Sequence, residues 1–414
     1  GTTRMTRSRL AGADFIRAAA CMIVLGHHLS QRMSWDHDLG WMEWMRVFTQ
    51  IGGFGVAMFF VLSGYLLAQP FWSALDADRP TPSLRTYALR RAARILPGFW
   101  LALTVTFILT LTVFRVQFTP ELVLRYLSGV FLVADWHWVT FFPVEVNGPL
   151  WSISFEVTSY VLLPLGFAAL FLLVRHAGRG WRTRLLWLLV IGAALLAQFA
   201  FMRLVHPGSA RRGWDYGLIG GAKFWMPNFN PFGFFAMFAI GALGAGVQAR
   251  IATMRHAVWD IVGLAALRAV VWMLALQTLA KGTESYGLLG IPHAFPWFQL
   301  AVGLALATLP SSRLVGRLLD NPVARYVAKI SFGVYVWHYV VLELVRLWIA
   351  PDIDHGQMQD PLRMAWVSGL IVAVSFIIAD LSYRFLEAPL IAWARGLERR
   401  PEPSPSPALS PAAG

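Results

Sequence analysis

DFIRAAACMIVLGHHLSQRM, residues 14–33, is an apolar stretch long enough to cross a bilayer, yet it carries Arg17 and His28. An α-helix turns about 100° per residue, so the interval of eleven closes three turns with roughly 20° left over. Both side chains then share one face, about 16 Å apart along the axis, while His27 lies about 80° off that line. An ionisable group facing hydrocarbon costs about 3 kcal/mol or more, so Arg17 and His28 must point into protein or a polar cavity. The first helix is therefore expected to form one wall of an active site.

Outward from that stretch, the whole chain has the composition of a membrane protein. Hydrophobic residues make up 57% of the 414 and charged residues 14%, against about 25% charged in an ordinary soluble protein, and the mean hydropathy is +0.56. Windows of spanning length fall at 15–33, 52–70, 96–115, 148–174, 185–205, 231–247, 257–279, 294–309, 331–350 and 363–383. The shorter apolar piece 121–133 reads as a half-helix or interfacial segment. The expected fold is an all-α polytopic transmembrane bundle of about ten spans in the inner or plasma membrane.

Loop charge orients that bundle, because Lys and Arg collect on the cytoplasmic side. With the N-terminus inside, well over half of the 35 basic residues fall in the inner segments, including Arg4, Arg7 and Arg9, the run 79–94, Arg182 and Arg184, and 313–329. Both termini are expected in the cytoplasm. The outer segments hold Trp, Gly, Pro and His instead. The net charge of +13 thus reads as topology, and no motif supports a nucleic-acid partner. Cys21 is the sole cysteine, which excludes a disulfide framework and a Cys metal site; no metal is expected. The first span is too long and polar for a signal peptide and is expected to be retained. The expected divisions are a cytoplasmic segment 1–13, a transmembrane domain 14–390, and a basic, then Pro/Ser-rich disordered tail 391–414.

Three further stretches concentrate chemistry. LRTYALRRAARILPGFW, residues 84–100, brings Arg90, Arg91 and Arg94 to the start of a span, with Arg91 and Arg94 on one helical face. A planar guanidinium makes paired charge-assisted hydrogen bonds to phosphate, although a run of arginines also serves as an ordinary topological anchor. FGVAMFFVLSGYLLA, residues 54–68, offers Gly64 for close helix packing and Ser63 for a polar contact. NGPLWSISFEVTSYVLLPL, residues 147–165, reads as a turn leading into a span, with Glu156 about two turns inside, where a carboxylate requires a partner. That partner is an arginine in a structural ion pair, or else the carboxylate orients His28 or an acceptor hydroxyl.

These elements, in this order, resemble the acyltransferase 3 family of membrane-bound O-acyltransferases that act mainly on carbohydrate and other hydroxylated acceptors. DFIRAAACMIVLGHH resembles the family's first-helix pattern of Arg or Lys, ten residues, then His, which selects Arg17 and His28. FFVLSGYLLA matches the second-helix signature at Phe59, Phe60, Leu62, Ser63 and Gly64. LRRAARILP resembles the arginine motif at Arg91 and Arg94, and GPLWSISFEV the Trp-Ser-x-x-x-Glu element at Trp151, Ser152 and Glu156. ISFGVYVWH supplies Ser331, Tyr335 and His338, and SYRFLEAPL resembles the closing segment at Tyr383, Arg384, Glu387 and Pro389. Ala388 stands where the family often carries Lys, and 206–230 has no family-specific feature. The resemblance covers residues 14 to 390.

It implies a cytoplasmic acyl-CoA, acetyl-CoA above all, as co-substrate and a glycan, lipid-linked sugar or metabolite as acceptor. Acyl transfer from a thioester needs a base titrating near working pH and a held donor. His28 is expected as that base, Glu156 and Arg17 as catalytic partners, and Arg17, Arg90, Arg91 and Arg94 as donor ligands. Ser63, Trp151, Ser152, Tyr335 and His338 are expected to bind substrate. No base adjoins Ser63 in sequence, which favours direct transfer. With few residues after the last span, acceptor choice is expected to reside in the outer loops and the cavity. A secondary transporter with intramembrane Arg, His and Glu, and a non-catalytic sensor, are the rival classes.

Overall fold

Several helix starts are written as an acceptor side chain followed by proline, whose fixed φ suits a first helical turn and whose missing N–H costs nothing there. Thr119 before Pro120, Asn230 before Pro231, Asn321 before Pro322 and Asp360 before Pro361 each accept from a backbone N–H of the first turn. The computed structural model describes residues 10–174, 180–280 and 285–398. Among these there are fourteen α-helices. They are α1 (Ala13–Ser30), α2 (Gly52–Asp76), α3 (Leu84–Thr112), α4 (Pro120–Val130), α5 (Trp151–Val174), α6 (Trp181–Leu204) and α7 (Gly217–Trp225). The rest are α8 (Pro231–Ile251), α9 (Ala257–Leu279), α10 (Trp297–Thr308), α11 (Val315–Leu319), α12 (Pro322–Trp348), α13 (Pro361–Ser382) and α14 (Ala388–Glu398). The chain is an all-α multi-pass membrane protein.

Each of the ten expected windows contains a helix, and among the described residues eight helical stretches are long and apolar enough to span. The two exceptions are α1 and α10. The ionisable residues of α1 lower its hydropathy. At 12 residues, α10 rises only about 18 Å, short of a hydrocarbon core of about 30 Å. Two boundaries move. Helix α12 starts at Pro322, well before residue 331, because its first turns carry Arg325 and Lys329 and read as polar. The stretch 391–398, expected as tail, is helical and belongs to α14. The remainder of that expected tail, 399–414, lies outside the described residues.

Helices α2 and α8 form the centre, each with 78% of its most apolar window buried, whereas α6 and α9 bury 17% and present Leu189, Leu196, Ile261 and Val271 outward. The centre is close because two glycines cross: a Cβ on Gly64 would lie 1.8 Å from the Phe238 carbonyl, and one on Gly241 the same distance from that of Val61. Backbones meeting this tightly leave no room for any side chain at either position. Arg184 of α6 is drawn inside by Asp76 of α2, which accepts at 2.8 Å on one oxygen, and its guanidinium covers Trp72.

Irregular backbone at membrane depth must be satisfied by protein. The segment 131–147 meets that demand through Arg125, whose Nε donates to the Phe142 carbonyl at 2.8 Å, and Asn147, whose amide donates to the Val336 carbonyl of α12 at 2.8 Å. The second bond sets the turn at Gly148–Leu150 against α12, which decides what α5 can face. Helices α1, α12 and α13 share an apolar cluster through Leu25, Ile330 and Val367. Between α13 and α14 the backbone widens into a π turn, Tyr383–Glu387, with Glu387 buried.

Candidate active site

Helices α1, α2, α3, α5 and α12 line a partly open cavity, whose empty space is about 640 Å³ with the solvent at its mouth included. Arg17 enters from α1, Ser63 from α2, Arg91 and Arg94 from α3, Ser152, Glu156 and Tyr160 from α5, and Ser331 and Tyr335 from α12. Arg91 and Arg94 arrive together because three residues is nearly one helical turn. Arg90, one residue earlier, points elsewhere: its guanidinium grips Glu398 of α14 with two bonds of 2.8 Å and is 48% exposed. The structure thus separates Arg90 from the arginines with which the sequence grouped it.

The charged groups of the lining are three guanidiniums and one carboxylate. No carboxylate lies within ion-pairing distance of Arg17, Arg91 or Arg94 among the described residues. Glu156 is engaged by neutral donors instead. Its Oε1 accepts from Ser63 Oγ at 3.1 Å and from the Tyr160 hydroxyl. Among the described residues no hydrogen bond joins Glu156 to His28, whose ring partner is His338 instead. Tyr160, absent from the expected site, is four residues after Glu156 and on its face, a spacing that contained the signal. Beside it, the Ser152 and Tyr335 hydroxyls are 2.6 Å apart, and both reach the Pro149 carbonyl, Tyr335 at 2.9 Å and Ser152 at 3.5 Å.

Trp151 does not line the cavity. Its ring stacks on Phe141 at 5.2 Å and is edged by Trp225, Phe229 and Phe234. Those rings occupy the surface a sugar would need, so Trp151 supports the wall from behind, and sugar stacking on it is excluded by packing.

His28 and His338 lie beyond the cavity, past Tyr335, whose ring is 6.2 Å from that of His338. His28 Nδ1 and His338 Nε2 are 2.8 Å apart. Tyr339 closes the far side, edge to face with His28 at 5.1 Å. Behind it Arg32, 1% exposed, bonds Tyr339 at 3.2 Å and Glu343 at 2.7 Å. His27, the other histidine of the pair, turns away to the Phe48 carbonyl at 2.9 Å. One face of α1 thus carries a cationic cavity at one end and a paired imidazole at the other.

The model of the acyltransferase 3 family, described as an acyltransferase domain, matches residues 10–380. The chain belongs to the acyltransferase 3 family. It is 26% identical over 418 residues to the peptidoglycan O-acetyltransferase OatA of Listeria monocytogenes, across 94% of this chain and 57% of that protein. The O-acetyltransferase OatA of Staphylococcus aureus is 25% identical over 397 residues, across 92% of this chain and 57% of its own length. The chain thus spans little more than half the length of these acyltransferase 3 relatives. No solved structure matches it.

Proposed function

We propose that this chain is an integral-membrane O-acyltransferase that moves an acyl group, acetyl in the first instance, from acyl-CoA to a hydroxyl of a cell-envelope glycan. The observation that carries this reading is the cavity whose lining holds Arg17, Arg91 and Arg94 against one carboxylate. Partly buried cations in excess of the acids around them are unfavourable, and a phosphate-bearing donor supplies the missing charge with the bidentate geometry a guanidinium prefers. About 16 Å of helix separates Arg17 from His28, which calls for a donor that is anionic at one end, long and thin, and reactive at the other. A coenzyme A thioester has that shape. The acceptor class follows from the relatives' names.

The acceptor oxygen attacks the thioester carbonyl while His28 takes its proton. The carbon–sulfur bond then breaks, and the same proton passes to the departing thiolate sulfur. The positively charged loops support a reading in which the arginine end of the cavity and both termini face the cytoplasm and the imidazole lies toward the opposite leaflet of the plasma membrane. Domain limits of 14–390 belong to the same reading. The test is mass spectrometry of envelope glycans and small metabolites from cells carrying the wild type or His28→Ala, together with titration of purified protein with acetyl-CoA. One acyl increment should vanish in the variant. Intact esterification without His28, or no affinity for any coenzyme A thioester, overturns the reading; substrate flux without donor consumption would identify a transporter.

A further inference from the structure

We propose that His338 is a positioning residue that locks His28 in the tautomer whose Nε2 is unprotonated and open to an incoming hydroxyl. The inference rests on the reading of His28 as the base, and the geometry supplies what that reading left open. His338 Nδ1 lies 2.9 Å from two carbonyl oxygens, of Val334 and Tyr335 on its own helix. Carbonyls only accept, so this nitrogen carries a hydrogen and donates. A neutral imidazole has one N–H, which leaves His338 Nε2 as an acceptor. His28 Nδ1, 2.8 Å away, must then be the donor. With its hydrogen at Nδ1, His28 keeps the lone pair on Nε2, and only that atom can serve as base.

The arrangement does the work that a carboxylate performs in a serine-protease triad, where an orienting group holds the imidazole in the productive tautomer. Here the orienting group is uncharged. No carboxylate bonds either ring among the described residues, because Glu343, the nearest acid on α12, is committed to Arg32 and Arg346. His338 is 1% exposed and anchored twice to backbone, whereas His28 is half-buried; one ring is fixed and the other retains an open side. The rings meet edge to edge, 27° from coplanar with centroids 5.0 Å apart, so the hydrogen bond runs along the line between them and rotation of His28 about its χ2 would break it. When Nε2 takes the acceptor's proton, the resulting imidazolium still donates from Nδ1 to His338, and after return of the proton to the thiolate the pair is restored.

The test uses the full chain in lipid nanodiscs, comparing His338→Leu, which fills the space without an acceptor, His338→Gln, whose amide oxygen can accept near the Nε2 position, and His28→Ala. The expected result is a fall in kcat of about 100-fold or more for His338→Leu, given that a wrong tautomer in the protease triad costs about 10,000-fold. The donor KM should be unchanged, and His338→Gln should return to within about 10-fold of the wild type. In the wild type, 15N resonances of labelled histidine should report His28 as the Nδ1–H form. A His338→Leu enzyme turning over at the wild-type rate overturns the proposal, as does a wild-type His28 found as the Nε2–H form. If His338→Leu fails to fold, the resonances and His338→Gln decide alone. Retained activity in His28→Ala would instead remove the base itself; an inactive His28→Ala beside a normal His338→Leu removes only this inference.

Discussion

The two ends of α1 are built in opposite ways. Around Arg17 the cations outnumber the acids and the space is open. Around His28 the charged and ring groups pair with one another inside the protein: imidazole to imidazole, and Arg32 to Glu343 and Tyr339. Unmatched charge with room beside it is how a fold prepares to receive a ligand, while groups tied to one another by hydrogen bonds prepare a fixed geometry for chemistry. Under the proposed function, binding and reaction are divided between ends about three helical turns apart on one face.

That division breaks first at His28. His28→Ala should lower acyl transfer by about 1,000-fold, within the range for losing a general base, yet leave the affinity for acetyl-CoA unchanged when measured by calorimetry. A parallel loss of donor affinity would mean that the ends are not separate. The converse holds for Arg91→Ala and Arg94→Ala. Each should weaken donor binding by about 10- to 100-fold, the worth of one charge-assisted hydrogen-bond pair, while kcat at saturating donor falls far less. The penalty should shrink as salt is raised.

Ser63 sharpens the comparison inside the cavity. It donates one bond to Glu156, so Ser63→Ala should reduce turnover by about fivefold, the value of a single hydrogen bond near 1 kcal/mol. No acyl adduct should appear by intact mass; complete inactivity together with a trapped adduct on the wild-type serine would move the chemistry from the imidazole end into the cavity. The smallest effect is expected at Arg90. Its pair with Glu398 is half exposed, and such pairs contribute about 0 to 1 kcal/mol. Arg90→Ala should shift donor affinity by less than about threefold in the same titration.

What the sequence revealed depended on distance along the chain. Spans were legible because apolar length is a local property. The shared face of Arg91 and Arg94 was legible for the same reason, and so in principle was that of Glu156 and Tyr160. The start of α12 was not, since Arg325 and Lys329 hid an amphipathic first turn behind their charge. The acceptor for His28 stands 310 positions away, and the hydroxyl on Glu156 from Ser63 stands 93 away. No periodicity links such pairs, so His28 was matched to the intramembrane carboxylate at hand. Trp151 was misplaced likewise, because the rings that cover it come from α7, α8 and the segments flanking α5 and α7.

The widened turn at Tyr383–Glu387 carries one residue more than an ordinary helical turn would hold. Removing a single residue there would let the helix run straight, rotating all that follows by about 100° and retracting it by about 1.5 Å. Glu398 would swing off Arg90, and the acid beside Gly98 would leave its seat. The bulge acts as a phase adjuster, letting the final helix arrive in register with α3, and a one-codon deletion would undo that packing along the whole of α14.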